Sequence, residues 1–258
     1  MVAGLALALG AASTANADVI ALWRFEPGSF LLDSSGNGHT LTNGAGSFDA
    51  ASVTDVAGPQ GGAGSALFDG TDVMFTSAAL NLSSYRHLRF SWMQRHQATT
   101  STVKVVFEQS SNYNSNNGAF IQTVNSDLGG SNSTTQGYFS ERGASGNTSD
   151  LYTHGAGSDP GSWATYSVDV DLDASPVGNV VKIFDGNGTE IGTNRDTNPA
   201  AAAFINDVLY IGGRGTNAAL GFVGNIDELK IESVPEPAIA ALLGGALAVV
   251  ALRRRRRA

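Results

Sequence analysis

The chain has 258 residues, a formal net charge of −8 and no cysteine. Apart from the last residues the basic residues form no stripe that could neutralise phosphates, and the surplus of acidic residues there excludes a nucleic-acid partner. Without cysteine the chain has no disulfides, so its stability must come from a hydrophobic core.

The first predicted element is a secretory signal peptide over residues 1–17. Met1 to Ala12 form an apolar run, and the small residues that follow it end at a cleavage site typical of such signals. A run of about a dozen residues suits a signal peptide and is too short to span a bilayer. We therefore expect an exported domain over residues 18–233.

The charge of this domain differs from that of the whole chain. Five of the 15 Lys and Arg residues and one of the 23 Asp and Glu residues lie after residue 233, which leaves 10 and 22 and a net charge near −12. Calcium is the cofactor we expect for such an acidic exported domain rich in Asn and Gly, since calcium prefers oxygen ligands.

Short apolar runs separated by turn residues predict an all-β domain. The runs are rich in Val, Ile, Phe and Tyr, and clusters of Gly, Asn, Ser and Asp separate them. Strands are predicted over residues 19–26, 65–69, 73–76, 87–96, 102–109, 119–124, 163–173, 179–185, 208–212 and 222–232.

The clearest alternation is in the predicted strand 163–173. Its apolar and polar side chains alternate, so one face is predicted to lie in the core and the other in solvent. The run from Asp185 to Gly188 is a strong turn signal and predicts a hairpin between residues 180–184 and 190–193.

Two polar stretches, 109–117 and 125–160, are predicted as loops, with a short strand over 137–141. Long loops in a compact domain are commonly functional. Aromatic faces that stack on sugars, together with amide hydrogen bonds, are the usual means of carbohydrate recognition. The carbohydrate-binding residues we predict in these stretches are Tyr113, Asn114, Tyr138, Tyr152 and His154.

Four segments, in order, resemble a laminin-G-like domain of the concanavalin-A-like lectin and glucanase superfamily. They are residues 21–26 (ALWRFE), 33–38 (DSSGNG), 66–70 (ALFDG) and 224–231 (GNIDELKI). The resemblance implies a jelly-roll sandwich of two antiparallel sheets. This superfamily includes sugar-binding domains, adhesion modules and glycosidases, so the fold alone does not select the function.

Asp33, Asn37 and Asp227 are the predicted metal ligands. Residues 33–38 combine a carboxylate, an amide and glycines, which suits the oxygen-rich shell of calcium. The resemblance implies that a structural calcium would join this loop to Asp227 on the last strand. The alternative is that Asp33 and Asn37 simply close Asx turns.

A glucanase-type Glu-x-Asp-x-Glu motif is not found, which predicts that the protein is not an enzyme. The nearest approach is the series Asp169, Asp171 and Asp173, whose alternate positions place the carboxylates on one face about 6.7 Å apart. We expect Asp173 to lie in a turn, because the strand ends before Pro176.

The last residues, 234–258, resemble a PEP-CTERM sorting signal. Pro235, Glu236 and Pro237 are followed by the apolar run 238–252, a predicted hydrophobic helix, and by the basic terminus 253–257. The resemblance implies cleavage by an exosortase and transient anchoring in the inner membrane. Fifteen helical residues reach about 22 Å, short of the hydrocarbon core, so the anchor would be marginal.

The sequence thus favours an exported, non-catalytic carbohydrate-binding or matrix protein at the cell surface or in the extracellular matrix, with extracellular polysaccharide as partner. One alternative is a glycoside hydrolase acting on extracellular polysaccharide. The other is a structural surface or adhesion protein without a small ligand.

Overall fold

Two antiparallel sheets form a β-sandwich in the computed structural model, which confirms the predicted all-β jelly-roll class. The structure describes residues 17–44, 53–54, 62–96, 103–110, 118–124, 136–142, 147–153, 161–173, 179–195, 203–215 and 220–235. Residues Val19–Ser233 form one compact unit. The helix predicted over 238–252 lies outside the described residues.

The strands follow in chain order: β1 (Val19–Trp23), β2 (Leu41–Asn43), β3 (Val53–Thr54), β4 (Ser65–Asp69), β5 (Met74–Thr76), β6 (Leu80–Asn81), β7 (His87–His96), β8 (Lys104–Gln109), β9 (Phe120–Val124), β10 (Gln136–Arg142), β11 (Asn147–Thr153), β12 (Ala164–Asp171), β13 (Val180–Asp185), β14 (Glu190–Arg195), β15 (Asn206–Asp207), β16 (Leu209–Ile211) and β17 (Val223–Ser233).

Both large sheets are built from strands distant in sequence. Sheet A has the order β14-β13-β12-β7-β17-β4-β3, with β1 also paired to β17, and sheet B has the order β11-β10-β9-β8-β16-β5-β2. A small third sheet pairs β15 with β6. The first and last strands of the described unit therefore lie side by side, with Trp23 opposite Leu229.

Aromatic side chains fill the space between the sheets. Phe90 of sheet A contacts Phe107, Phe120 and Phe139 of sheet B, with ring centroids 6.3, 4.4 and 5.5 Å away. All four side chains are buried. Each such aromatic pair contributes about 0.5–1.5 kcal/mol beyond its buried area, so this cluster joins the two sheets firmly.

The predicted alternation and hairpin are confirmed. Along β12 the apolar side chains are buried and the intervening polar ones are half-buried. Asp185 closes the β13–β14 turn, because its Oδ1 accepts hydrogen bonds from the N–H groups of Asn187 and Thr189 at 2.9 and 2.8 Å.

The prediction that residues 125–160 are loop is wrong in part. The short strand expected at 137–141 is present as β10, but β11 was not predicted. Its sequence NTSDLYT lacks a buried-strand pattern, because it lies at the edge of sheet B and pairs only with β10. An edge strand needs no continuous apolar run.

Within the described part of the chain, no helix has the length and apolar character needed to cross a membrane.

Candidate functional site

One row of side chains crosses the outer face of sheet B. Directly opposed residues of neighbouring strands point to the same face. Successive side chains of a strand point to opposite faces of the sheet. Since Phe107 and Phe139 point into the core, the residues that follow them, Glu108 of β8 and Ser140 of β10, point outward. The pairing gives this outer row as Thr42, Phe75, Tyr210, Glu108, Ile121 and Ser140.

Four residues form what we call the sheet B outer site: Phe75, Tyr210, Glu108 and Arg214. The rings of Phe75 and Tyr210 are 5.9 Å apart with an interplanar angle of 43°. Glu108 is opposite Tyr210 in the ladder, and its Oε2 lies 3.4 Å from Nε of Arg214. Tyr210 is 8% exposed and Phe75 is half-buried, so part of the Phe75 ring and the Arg214 side chain are the accessible groups. An aromatic ring beside a guanidinium can contact the apolar and hydroxyl groups of a sugar.

The ion pair of this site is asymmetric. The Glu108 side chain is 1 % exposed, whereas that of Arg214 is 34 % exposed. The guanidinium therefore provides the accessible charge, and the carboxylate holds it in place from beneath. Arginine suits such a role because its planar fork donates several hydrogen bonds at once.

Tyr210 remains a neutral phenol in this setting. Burial, and then the negative charges of Asp207 and Glu108, raise the pKa of its hydroxyl above the ordinary value. The hydroxyl keeps its proton at neutral pH and is available as a hydrogen-bond donor.

A local irregularity in β8 and a turn after β16 position the site. The register of β8 against β9 shifts between Val105 and Phe107, and Gly221 forms a parallel bridge to Val105. Leu220 packs on a small apolar cluster that includes Val105 and Ile121. Leu220 and Gly221 therefore lie against the outer face of sheet B.

The predicted carbohydrate-binding residues are only partly described. Tyr138 is half-buried on β10, opposite Thr123 of β9, in an outward row neighbouring that of Glu108. Tyr152 is opposite Gly137 in the backbone register of β11, and its side chain is outside the described part. Tyr113, Asn114 and His154 lie outside the described residues. Tyr138 is thus the predicted residue that the structure places on the same face as the sheet B outer site.

Asp33 is the centre of a hydrogen-bonded loop. Its Oδ1 accepts the N–H groups of Leu22 and Ser35 at 3.0 and 2.9 Å, and its Oδ2 accepts the Ser35 hydroxyl and the His39 N–H at 2.8 and 3.0 Å. Asn37 donates from Nδ2 to the carbonyls of Val19 and Ile20, both at 2.9 Å. The bond between residues 33 and 35 is that of an Asx turn, and the other bonds tie the loop to β1.

These contacts do not fit a calcium ligand at Asp33. A calcium-binding carboxylate must direct its lone pairs at the ion, and here four N–H and O–H groups occupy them. Asp227 is 1 % exposed on β17, and its Oδ1 accepts the Glu228 N–H at 2.8 Å. Among the described residues no three His, Asp or Glu side chains are grouped so as to hold a metal ion. Calcium binding by this chain therefore stays a prediction that the contacts of Asp33 do not support.

The three acidic residues Asp169, Asp171 and Asp173 each form an ion pair or a hydrogen bond within the domain. Asp169 pairs with Arg89 and Asp173 with Arg86, at 2.6 and 2.7 Å. Asp171 Oδ1 accepts the Asp173 N–H at 2.8 Å. Asp171 is the last residue of β12, so Asp173 lies beyond the strand, as predicted. The hydrogen bonds from Arg86 outweigh burial and hold the pKa of Asp173 below its ordinary value.

The sequence did not reveal the sheet B outer site, since its residues come from three separate segments. One local signal was available: Glu108 is an acidic residue inside the apolar run of β8, whose burial pattern is continuous from Val105 to Gln109. A buried carboxylate requires a partner. The sequence alone cannot identify that partner as Arg214.

Comparison with solved structures shows the fold alone. No protein-family model matches the sequence, and no curated protein matches it. The chain is similar to domain 4 of AbnA, a GH43 extracellular arabinanase from Geobacillus stearothermophilus solved with arabinotriose, with a TM-score of 0.54, 18% identity, and coverage of 84% of this chain and 93% of that one.

It is also similar to botulinum neurotoxin receptor-binding domains. For the mosaic serotype C/D domain the TM-score is 0.57 and the identity 11%, with coverage of 88% of this chain and 51% of that one. For the neurotoxin D domain the TM-score is 0.57 and the identity 10%, with coverage of 89% of this chain and 53% of that one. This chain thus spans about half the length of those domains.

Proposed function

We propose that the chain is a non-catalytic carbohydrate-binding domain that acts in extracellular polysaccharide. The observation that carries the proposal is the sheet B outer site, where the Phe75 and Tyr210 rings lie beside the Glu108–Arg214 pair. The half-buried Phe75 ring can contact the C–H face of a sugar, and the guanidinium and phenol can donate hydrogen bonds to its oxygens.

The similar structures support the class of ligand. The arabinanase domain was solved with arabinotriose, and the botulinum domains are receptor-binding domains. Arabino-oligosaccharides are therefore the first ligands to examine. The botulinum comparison also supports a binding role for the sandwich.

A glycan array that includes arabino-oligosaccharides tests the proposal. Three proteins are compared: the wild type, Arg214→Ala and, as a matched control, Lys182→Ala, which removes a cation paired with Glu190 at 3.3 Å on sheet A. We expect the wild type and the control to bind the same glycans and Arg214→Ala to lose at least about tenfold in affinity. An array without any bound glycan would favour the structural alternative, and binding unaffected by Arg214→Ala would place the site elsewhere.

We further propose that the protein is exported, cut by an exosortase near Pro235, Glu236 and Pro237, and retained at the cell surface or in the matrix. The order of motif, apolar run and arginines supports this part of the proposal. Five terminal arginines favour a cytoplasmic end, which would leave the sandwich outside the inner membrane before cleavage.

A further inference from the structure

A cavity of about 340 Å³ lies on the outer face of sheet A. Residues of four of its strands, β1, β7, β12 and β17, line the cavity together with the residue that follows β1; they include Leu22, Arg24, Ser91, Thr165, Glu228 and Lys230. Its volume is at the lower end of the range for small-molecule sites, about 300–1,000 Å³. The cavity is on the opposite face of the sandwich from the sheet B outer site.

A β-bulge in β17 positions Glu228 at this cavity. Asp227 is opposite Met93 and Lys230 is opposite Ser91, so two residues of β17 face one residue of β7. Glu228 has a φ of 49°, in the left-handed region that residues with a Cβ rarely adopt. Bulges re-aim side chains and are enriched beside functional sites, and unfavourable backbone conformations cluster there too.

The charges around the cavity balance. Arg24 Nε lies 3.8 Å from Glu228 Oε2, and Lys230 Nζ lies 2.9 Å from Glu232 Oε2. Each cation thus has a carboxylate beside it, and the domain as a whole is acidic. This balance favours a neutral ligand over an anionic one.

The Glu228 carboxylate is a recessed acceptor. Its side chain is 25% exposed, and burial raises its pKa above the ordinary value, an effect that nearby Arg24 opposes. An acceptor in such a partly desolvated position forms stronger hydrogen bonds than one in bulk water.

We propose that this cavity binds one residue of a neutral saccharide, at a second site independent of the sheet B outer site. Glu228 accepts hydrogen bonds from sugar hydroxyls, and Arg24 and Lys230 donate to sugar oxygens. The hydroxyls of Ser91 and Thr165 offer both donors and acceptors. Leu22, which lines the cavity and is half-buried, provides an apolar contact for the C–H groups of the ring.

Amide-proton NMR of the purified chain, titrated with arabinose, galactose, glucose and mannose and with arabinotriose, tests the proposal. We expect at least one sugar to shift the amide signals of Thr165 and Glu228 in a saturable manner. These signals are distinct from those of Glu108 and Tyr210, so binding at the two sites is read separately. Shifts confined to the signals of Glu108 and Tyr210, or no shifts at all, would overturn the inference.

Two variants of Glu228 separate loss of ligand binding from loss of folding. Glu228→Gln keeps the shape and removes the charge, and Glu228→Gly removes the side chain while glycine accepts the left-handed backbone without strain. We expect both to weaken sugar binding at the cavity by about tenfold or more, with Tm unchanged or raised for the glycine variant. Glu190→Gln, an exposed carboxylate of β14, is the matched control. Undiminished binding by a folded Glu228→Gly protein would contradict the proposal.

Discussion

Arg89 and Asp169 are directly opposed on neighbouring strands and join through two parallel hydrogen bonds, Nε to Oδ1 at 2.6 Å and Nη2 to Oδ2 at 2.7 Å. Arg86 holds Asp173 in the same way, at 2.9 and 2.7 Å. Hydrolysis of a glycosidic bond needs one protonated carboxyl group as acid. The hydrogen bonds from Arg86 favour the ionised form of Asp173 instead, and Asp169 is bound by two nitrogens of Arg89, so these pairs fit a structural role.

We accordingly predict that the protein does not hydrolyse glucans, galactans or alginate. A reducing-sugar assay with purified protein measures this activity. The double variant Asp169→Asn, Asp171→Asn should bind sugars as the wild type does. Reproducible cleavage that the double variant abolishes would establish the glycoside hydrolase alternative.

The Asp33 loop should make stability depend on pH. Burial raises the pKa of Asp33, but hydrogen bonds from Ser35, His39 and Leu22 outweigh it and bring the pKa below the ordinary value. Since the folded pKa is the lower one, the stabilisation is fully present above the unfolded value, about 3.9, and is lost as pH falls through the folded value.

Asp33→Asn tests this loop. The substitution removes the negative charge and replaces one acceptor oxygen by an NH₂ group, which would face N–H or O–H donors of the loop. We expect a loss of about 1–3 kcal/mol in the free energy of unfolding at pH 7, measured by urea denaturation. The difference from the wild type should shrink below pH 4. Glu190→Gln is the control and should change stability by less than about 0.5 kcal/mol. A pH-independent loss would assign the effect to shape instead of charge.

Calcium should leave the melting temperature unchanged, because the oxygens of Asp33 already accept four hydrogen bonds. The measurement compares Tm in chelator with Tm in millimolar calcium. A bound ion at 100 times its Kd would add about 2.7 kcal/mol of stability, a shift that is readily seen. A rise in Tm that Asp227→Ala removes would establish the metal site predicted from the sequence.

The sequence predicts the parts of this fold that depend on neighbouring residues. The alternation in β12 and the Asp185–Gly188 turn both follow from patterns within ten residues, and both are present. The Asx turn at Asp33 is likewise local. The strand β11 escaped prediction because an edge strand is defined by its partner, β10, more than by its own composition.

The candidate site could not be predicted in the same way. Phe75, Glu108 and Tyr210 meet because β16 inserts between β5 and β8, an order that local patterns do not contain. Similarly, the left-handed Glu228 results from a bulge that depends on the pairing of β17 with β7. Side chains brought together by strand order become visible only once the sheets are assembled.

Processing of the C-terminal tail is tested in the native host. We expect the mature protein to end near Pro235, Glu236 and Pro237, because the apolar run and arginines that follow resemble a sorting signal. Intact-mass measurement decides between the cut and uncut chains. A mass that retains residues 253–257 would contradict processing, and replacing the three motif residues with alanine should block cleavage.

Gly212 offers a sharp test of the packing that supports the sheet B outer site. Its φ is +85°, and a Cβ at this position would collide with the Phe68 ring. Phe68 is buried and packs edge-on against Phe222, so it has little room to move. Gly212 also donates its N–H to the Val106 carbonyl and accepts that of Phe222, at 2.8 and 2.7 Å. The turn after β16 therefore requires glycine for two reasons: the positive φ of residue 212, and the lack of space for a Cβ beside the Phe68 ring.

Gly212→Ala should lower the free energy of unfolding by about 3 kcal/mol or more, the sum of a left-handed alanine and an overpacked core. The matched control is Gly188→Ala, at a φ of +77° with no atom within 4 Å of the added Cβ. It should lose only about 1–2 kcal/mol, the backbone part alone. Urea denaturation followed by circular dichroism measures both. Because residue 212 precedes Arg214 by two positions, Gly212→Ala should also weaken glycan binding, and Gly188→Ala should not. Equal losses of stability in the two variants would show that the contact with Phe68 is not what requires glycine here.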